Sequence, residues 1–202
     1  MTADTTATTP WDDRVAALWA AIDTHEPADF RARIAELAAE RPADDAPALF
    51  EQGAAHDSTG LPVEAVEFYQ AALDRGLSGL RRRRAVIQMA SSLRNLGQVE
   101  RGLELLTAER AIPVERLDAD ELALSGAVDA FLALCLADTG REREAASLAL
   151  GALAPLLPRY NRSLAYYAQA LVTPDAPASE EPAPDAPVPD APASDEPAPD
   201  AG

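Results

Sequence analysis

Apolar positions recur every three to four residues along most of this chain, a rhythm that predicts helices almost from end to end. Trp11, Val15, Leu18, Trp19 and Ile22 form one such stripe, and Phe30, Ile34, Leu37 and Ala38 form a second behind Pro27. The second ends before Pro42, because proline disfavours helix in the residue preceding it. Residues 45–76 read as a helix, a sharp turn at Ser58-Thr59-Gly60, and a second helix with Pro62 at its first position. Gly60 can take the left-handed conformation that ends the first helix, and Pro62 is pre-set to start the next. The same grammar returns around Gly97 in "RNLGQVERGLELL" and around Gly140 in "LADTGREREAASLAL". Asp118 with Glu121 makes a capping box for a long helix expected to end near Thr139. Tyr160, Leu164, Tyr167, Ala168 and Leu171 give one last amphipathic helix.

Three hairpins turning on Gly60, Gly97 and Gly140 lie 37 and 43 residues apart. Look-alike hairpins at that period predict an all-α solenoid, with two helices ahead of it and a terminal helix capping its last apolar face. The expected domain runs from 10 to 172. Residues 1–9 are small and polar and are expected to be disordered. From Thr173 the composition changes to "TPDAPASEEPAPDAPVPDAPASDEPAPDAG", with nine prolines, eight acidic residues and no basic one. Such a segment cannot build a core, so 173–202 is expected to be a disordered tail with polyproline II character, a solubilising spacer or an acidic competitor for a basic groove.

Within the first hairpin Gly53, Gly60, Ala65, Tyr69 and Ala72 occupy small, turn, small, aromatic and small places, with Leu49 where a tryptophan is frequent. In this the chain resembles the tetratricopeptide repeat family, and a small bacterial subgroup of it. Ala90 and Gly97 fit in the second hairpin, where Gly102 and Glu109 stand in place of the usual alanines; Ala133, Gly140, Ala145 and Ala152 fit in the third. The small residues have a physical reason, since antiparallel helices approach closely only where side chains are nearly absent. The resemblance implies a right-handed superhelix whose concave groove, lined by the first helix of each pair, binds a peptide or another protein.

Against that frame stands "LRRRRAVIQMASSLRNLG" at 80–97, four consecutive arginines in a chain of net charge −17. The run opens the first helix of the second pair. Helical spacing places Arg81, Arg84, Gln88, Ser91 and Asn95 on one stripe with Arg94 beside it, while Val86, Met89, Ala90 and Leu93 form the packed stripe. Cations at a helix N-terminus oppose the macrodipole by about 0.3–1 kcal/mol each, so the run needs compensation. Two readings stay open. In one the arginines pair within the scaffold, with acids such as Asp57, Asp74 or Glu104. In the other, Arg84, Ser91, Arg94 and Asn95 receive an acidic segment, with Asp57 and Asp138 at the groove edges, because the planar guanidinium fork recognises carboxylates.

Charge and composition narrow the rest. All 17 basic residues are arginine, against 34 acidic ones, and the acidic balance disfavours nucleic acid and anionic membranes. Aromatics make up only 5% of the chain, which suits closely packed helices. No apolar run approaches the length of a membrane span, the N-terminus lacks a signal-peptide pattern, and a single Cys135 cannot build a disulfide framework, so the cytoplasm is the expected compartment. His25 and His56 have no metal-spaced partners; His56 falls at an aromatic packing place and Cys135 inside a long apolar helix. With no phosphate loop, nucleophile elbow or dinucleotide fingerprint, the expectation is a non-catalytic, cofactor-free adaptor binding a protein or peptide. Self-assembly through the terminal helices, the Trp11/Trp19 helix or the last one, is its rival.

Overall fold

The structure is a computed structural model and describes residues 10–173. The expectations for 1–9 and for the tail beyond Thr173 therefore lie outside the described residues. Within them the chain is built of ten α-helices and short 3-10 turns, with no strand.

The first expected hairpin is α3 (Ala46–Ser58) and α4 (Pro62–Asp74). Asp45 caps α3 by accepting from the Ala48 amide at 2.9 Å, a start signal the hydrophobic pattern alone does not reveal. Gly60 makes the turn at φ +80°, where a side chain would be strained. Tyr69 packs its ring against Gly53, where a Cβ would sit 2.8 Å from the ring edge, so the missing side chain lets the pair close. The second and third hairpins are α5 (Gly79–Asn95) with α6 (Val99–Arg110), and α8 (Ser125–Asp138) with α9 (Glu142–Leu153).

The long helix expected before Thr139 is in fact broken. The capping box is present, Asp118 Oδ1 accepting from the Glu121 amide and Glu121 reciprocating, but it caps only the short α7 (Ala119–Ala123). Leu124, at φ −86° and ψ 1°, ends that turn before α8 begins.

The helices stack in two layers. α3, α5 and α8 lie side by side, while α4 packs between α3 and α5 and α6 between α5 and α8. The core follows this order: Phe50, Ala54, Ala65, Tyr69, Met89 and Leu93 join α3, α4 and α5, and Ile87, Leu106, Val128, Leu132 and Cys135 join α5, α6 and α8. α1 (Pro10–Ala20) and α2 (Pro27–Ala38) are more than padding. α2 meets α3 as α4 meets α5 and α6 meets α8, and α1 packs on α2, so they form a fourth helix pair ahead of the three. Trp11, Val15, Ala38 and Ala48 close one side of that junction, and Phe30, Ile34 and Ala55 the other.

At the far end α10 (Asn161–Ala170) packs on α9. Its expected apolar stripe is only partly covered. Ala168 is buried and Leu164 and Leu171 are half-buried, but Tyr167 is half exposed, and Tyr160 stands outside the helix at φ +64° with its ring in solvent.

Candidate functional site

The layer of α3, α5 and α8 carries the predicted groove residues, and α5 carries most of them. Its packed stripe is as expected, with Val86, Met89, Ala90 and Leu93 all buried. The arginines that open the helix are mostly occupied within the fold, and by other acids than the expected Asp57, Asp74 and Glu104. Arg81 donates through Nε to Glu51 Oε1 at 3.0 Å and through a terminal nitrogen to Asp12 Oδ1 at 2.8 Å. Glu51 is itself buried, and its other oxygen accepts from the Trp19 indole at 2.8 Å. One guanidinium thereby ties α5 to both α3 and α1.

Arg82 and Arg83 turn toward α6, where both meet Glu109. Arg82 donates to the two oxygens of Glu109 at 3.2 and 2.8 Å, and Arg83 to one of them at 3.1 Å. Arg83 and Glu109 are each only 2% exposed, and Arg83 also donates to the Ser125 hydroxyl at 3.1 Å, at the start of α8. Glu109 stands where an alanine is usual, and its carboxylate fills that space as the anion that makes the buried Arg83 tolerable and also holds the half-buried Arg82.

Arg84 differs. Its guanidinium lies 5.2 Å from the centre of the Phe50 ring, and it has no carboxylate partner among the described residues. Beyond it along the helix, Gln88 and Ser91 are half-buried and Asn95 is exposed; the Gln88 carbonyl oxygen is buried without a partner among the described residues. Arg94 donates to both oxygens of Asp138 at 2.6 and 3.2 Å, so these two residues form an ion pair between α5 and α8. Asp57 accepts from the Ser92 hydroxyl at 2.7 Å and from the Tyr69 hydroxyl at 3.3 Å. Burial, and behind it the Asp57 charge, push the Tyr69 hydroxyl well above the usual phenol range. The stripe proposed from spacing therefore divides. Arg81, Arg94, Asp57 and Asp138 are engaged in internal bonds, and Arg84, Gln88, Ser91 and Asn95 remain as the polar row of α5.

The pattern reading missed the neighbouring row on α8. Ala130, Leu134 and Ala137 are exposed and Phe131 is half-buried, at spacings that put them on one face. The signal was in "SGAVDAFLALCLAD", a helix apolar on all sides, although such a helix does not announce which side is left open. Cys135 and His56 are packing residues as expected. The thiol is buried beside Gly102, and burial pushes it up, while His56 Nδ1 lies 2.8 Å from the Gln52 carbonyl with its ring 5.0 Å from Phe68. Among the described residues no cluster of three or more His, Cys, Asp or Glu could hold a metal, and no helix is long and apolar enough to cross a membrane.

A family model described as Tetratrico peptide repeat matches residues 46–171, from the start of α3 through α10. No curated protein and no solved structure matches the chain.

Proposed function

Since the chain belongs to the tetratricopeptide repeat family, whose helix pairs are typically non-catalytic interaction modules, we propose that it is a scaffold whose α3/α5/α8 face takes an extended segment of a partner protein. The segment carries an acidic residue for Arg84 and an apolar residue for the row around Leu134, and the polar row of Gln88, Ser91 and Asn95 serves its backbone amides and carbonyls. Arg94 and Asp138 sit at the edge of this face, where their exposed pair can open at little cost. The module is residues 10–172.

The observation that carries this reading is the state of Arg84, a guanidinium held over Phe50 without a carboxylate among the described residues, in a chain that has twice as many acids as bases. An arginine stacked in that way keeps its fork of donors free for a planar anion. A charge-assisted hydrogen bond contributes about 1.5–3 kcal/mol, so one matched acid changes affinity about tenfold or more.

Selection of peptides from a displayed random library tests it. The native chain should enrich sequences with an acid and an apolar residue at fixed separation. Arg84→Glu, checked for equal helicity, should exchange the acid for a base, and Leu134→Asp should erase the apolar preference. Enrichment that does not change in either variant refutes the reading. The rival through Trp11 and Trp19 has less to work with, because Trp11 is buried, donating to the Leu37 carbonyl at 2.8 Å, and the Trp19 indole is bonded to Glu51.

A further inference from the structure

The far end of the solenoid has a surface that the groove does not use. Residues 154–172 hold two arginines, Arg159 and Arg162, and no acidic residue, although the whole chain carries a net charge of −17. Neither arginine has a carboxylate partner among the described residues, and Arg159 lies over the Tyr160 ring at 5.7 Å. Around them Leu156 is 77% exposed, Tyr160 61% and Tyr167 50%. Tyr160 stands at φ +64°, a backbone conformation that a side chain of its size rarely adopts, and its ring is held outward there. This is an aromatic surface whose positive charge has no carboxylate partner among the described residues, on an element expected to cap the last apolar face.

The chain itself supplies a segment of complementary chemistry. Residues 174–202 contain nine prolines, eight acids and no base, and "PASEEPAPDA" at 177 returns as "PASDEPAPDA" at 192. The segment starts from a fixed place, because Arg143 Nε donates to the Leu171 carbonyl at 3.0 Å just before it. We propose that 174–202 docks on this end face, with carboxylates on Arg159 and Arg162 and prolines against the exposed rings of Tyr160 and Tyr167. Aromatic surfaces accept proline-rich chains well, since such chains lose little freedom on binding. Length is no obstacle: ten residues of helix span about 15 Å, and an extended proline-rich chain covers about 3.1 Å per residue. Tethering supplies an effective concentration on the order of mM, which keeps a contact of low intrinsic affinity occupied. The near-repeat gives two equivalent ways to bind. Docked in this way, the segment covers the apolar end of the stack and leaves the α3/α5/α8 face open.

A spin label on Ala186→Cys in the full chain, with amide signals followed by NMR, tests the proposal. Cys135 is buried, and unlabelled wild-type protein serves as its control. At low salt the label should selectively broaden amides between Arg159 and Ala168. The effect should disappear near 1 M salt, where screening acts within about 3 Å, and in Arg159→Glu/Arg162→Glu, whose exposed side chains leave the fold intact. Broadening around Arg84, Ser91 and Arg94 would place the segment in the groove and overturn the proposal, as would the absence of any selective broadening. Labelled chain mixed with separate isotope-enriched chain should show no effect; broadening there would make the occupant a second copy's segment and equally overturn it.

Discussion

Replacing Glu109 by alanine restores the residue usual at that place in the family, and the structure predicts that it will harm this protein. The carboxylate accepts three hydrogen bonds from two arginines, at 2.8, 3.1 and 3.2 Å. After the change Arg83, 2% exposed, keeps only the Ser125 hydroxyl among the described residues, where its Nε has no partner even with Glu109 in place. Removing one partner of a buried ion pair leaves an uncompensated charge and costs about 3–5 kcal/mol. For a domain of this size each kcal/mol lowers the melting temperature by about 2–4 °C, so Glu109→Ala should melt on the order of 6–20 °C earlier. Urea unfolding followed by circular dichroism measures the loss directly, and an unchanged slope would show that the unfolded state is not responsible. Combining Glu109→Leu with Arg82→Met and Arg83→Met should recover most of the stability, because a well-packed apolar replacement avoids the desolvation of all three charges. A loss below about 1 kcal/mol in Glu109→Ala, the scale of an exposed pair, would refute the argument that burial gives this cluster its weight.

Other expectations follow from neighbouring features. Gly53→Ala would place a Cβ 2.8 Å from the Tyr69 ring and should cost about 1–3 kcal/mol by overpacking, measurable in the same urea experiment. Cys135 is buried and its thiol is pushed up by burial, so it should resist a thiol reagent at neutral pH in the native state and react at once in denaturant. Glu40, Glu144 and Asp29 are held below the usual carboxylate range by hydrogen bonds from Arg14, Arg141 and Arg33. A carboxylate whose folded value is depressed stabilises above its unfolded value and loses that contribution as pH falls through the folded one. The melting temperature should therefore hold from pH 7 to about 5 and decline below about 4.

What was legible in the chain was mostly backbone geometry. Gly60, Gly97 and Gly140 turn at φ +80°, +75° and +76°, and glycine at a regular period betrays such positions because other residues avoid them. The α1/α2 pair escaped the repeat pattern because its helices are joined by a 3-10 turn, Ile22–Thr24, with no glycine to mark it. Glu109 was conspicuous as an acid at a small-residue place, but its partners lie 26 and 27 residues back in the arginine run, and charge patterning alone does not say which acid reaches which base. Of the candidate site, the polar row of α5 was readable from spacing, whereas the open apolar row of α8 was not. A helix apolar all round keeps its exposed side hidden until its neighbours are in place.

Arg81 gives this array an uneven elasticity. Its bonds to Asp12 and Glu51 join three successive pairs on one side of the stack, which therefore flexes there only by breaking a partly shielded clasp of one guanidinium on two carboxylates. Between α5 and α8 that same layer is crossed by the solvent-reachable clasp of Arg94 and Asp138, which gives more readily. A solenoid accommodates its cargo by changing curvature. In this one the edge formed by the helix starts is tied throughout, by Arg81 and by the buried Arg83 to Ser125, so a bulky guest opens the α5/α8 junction on the Arg94 side, beside Leu134.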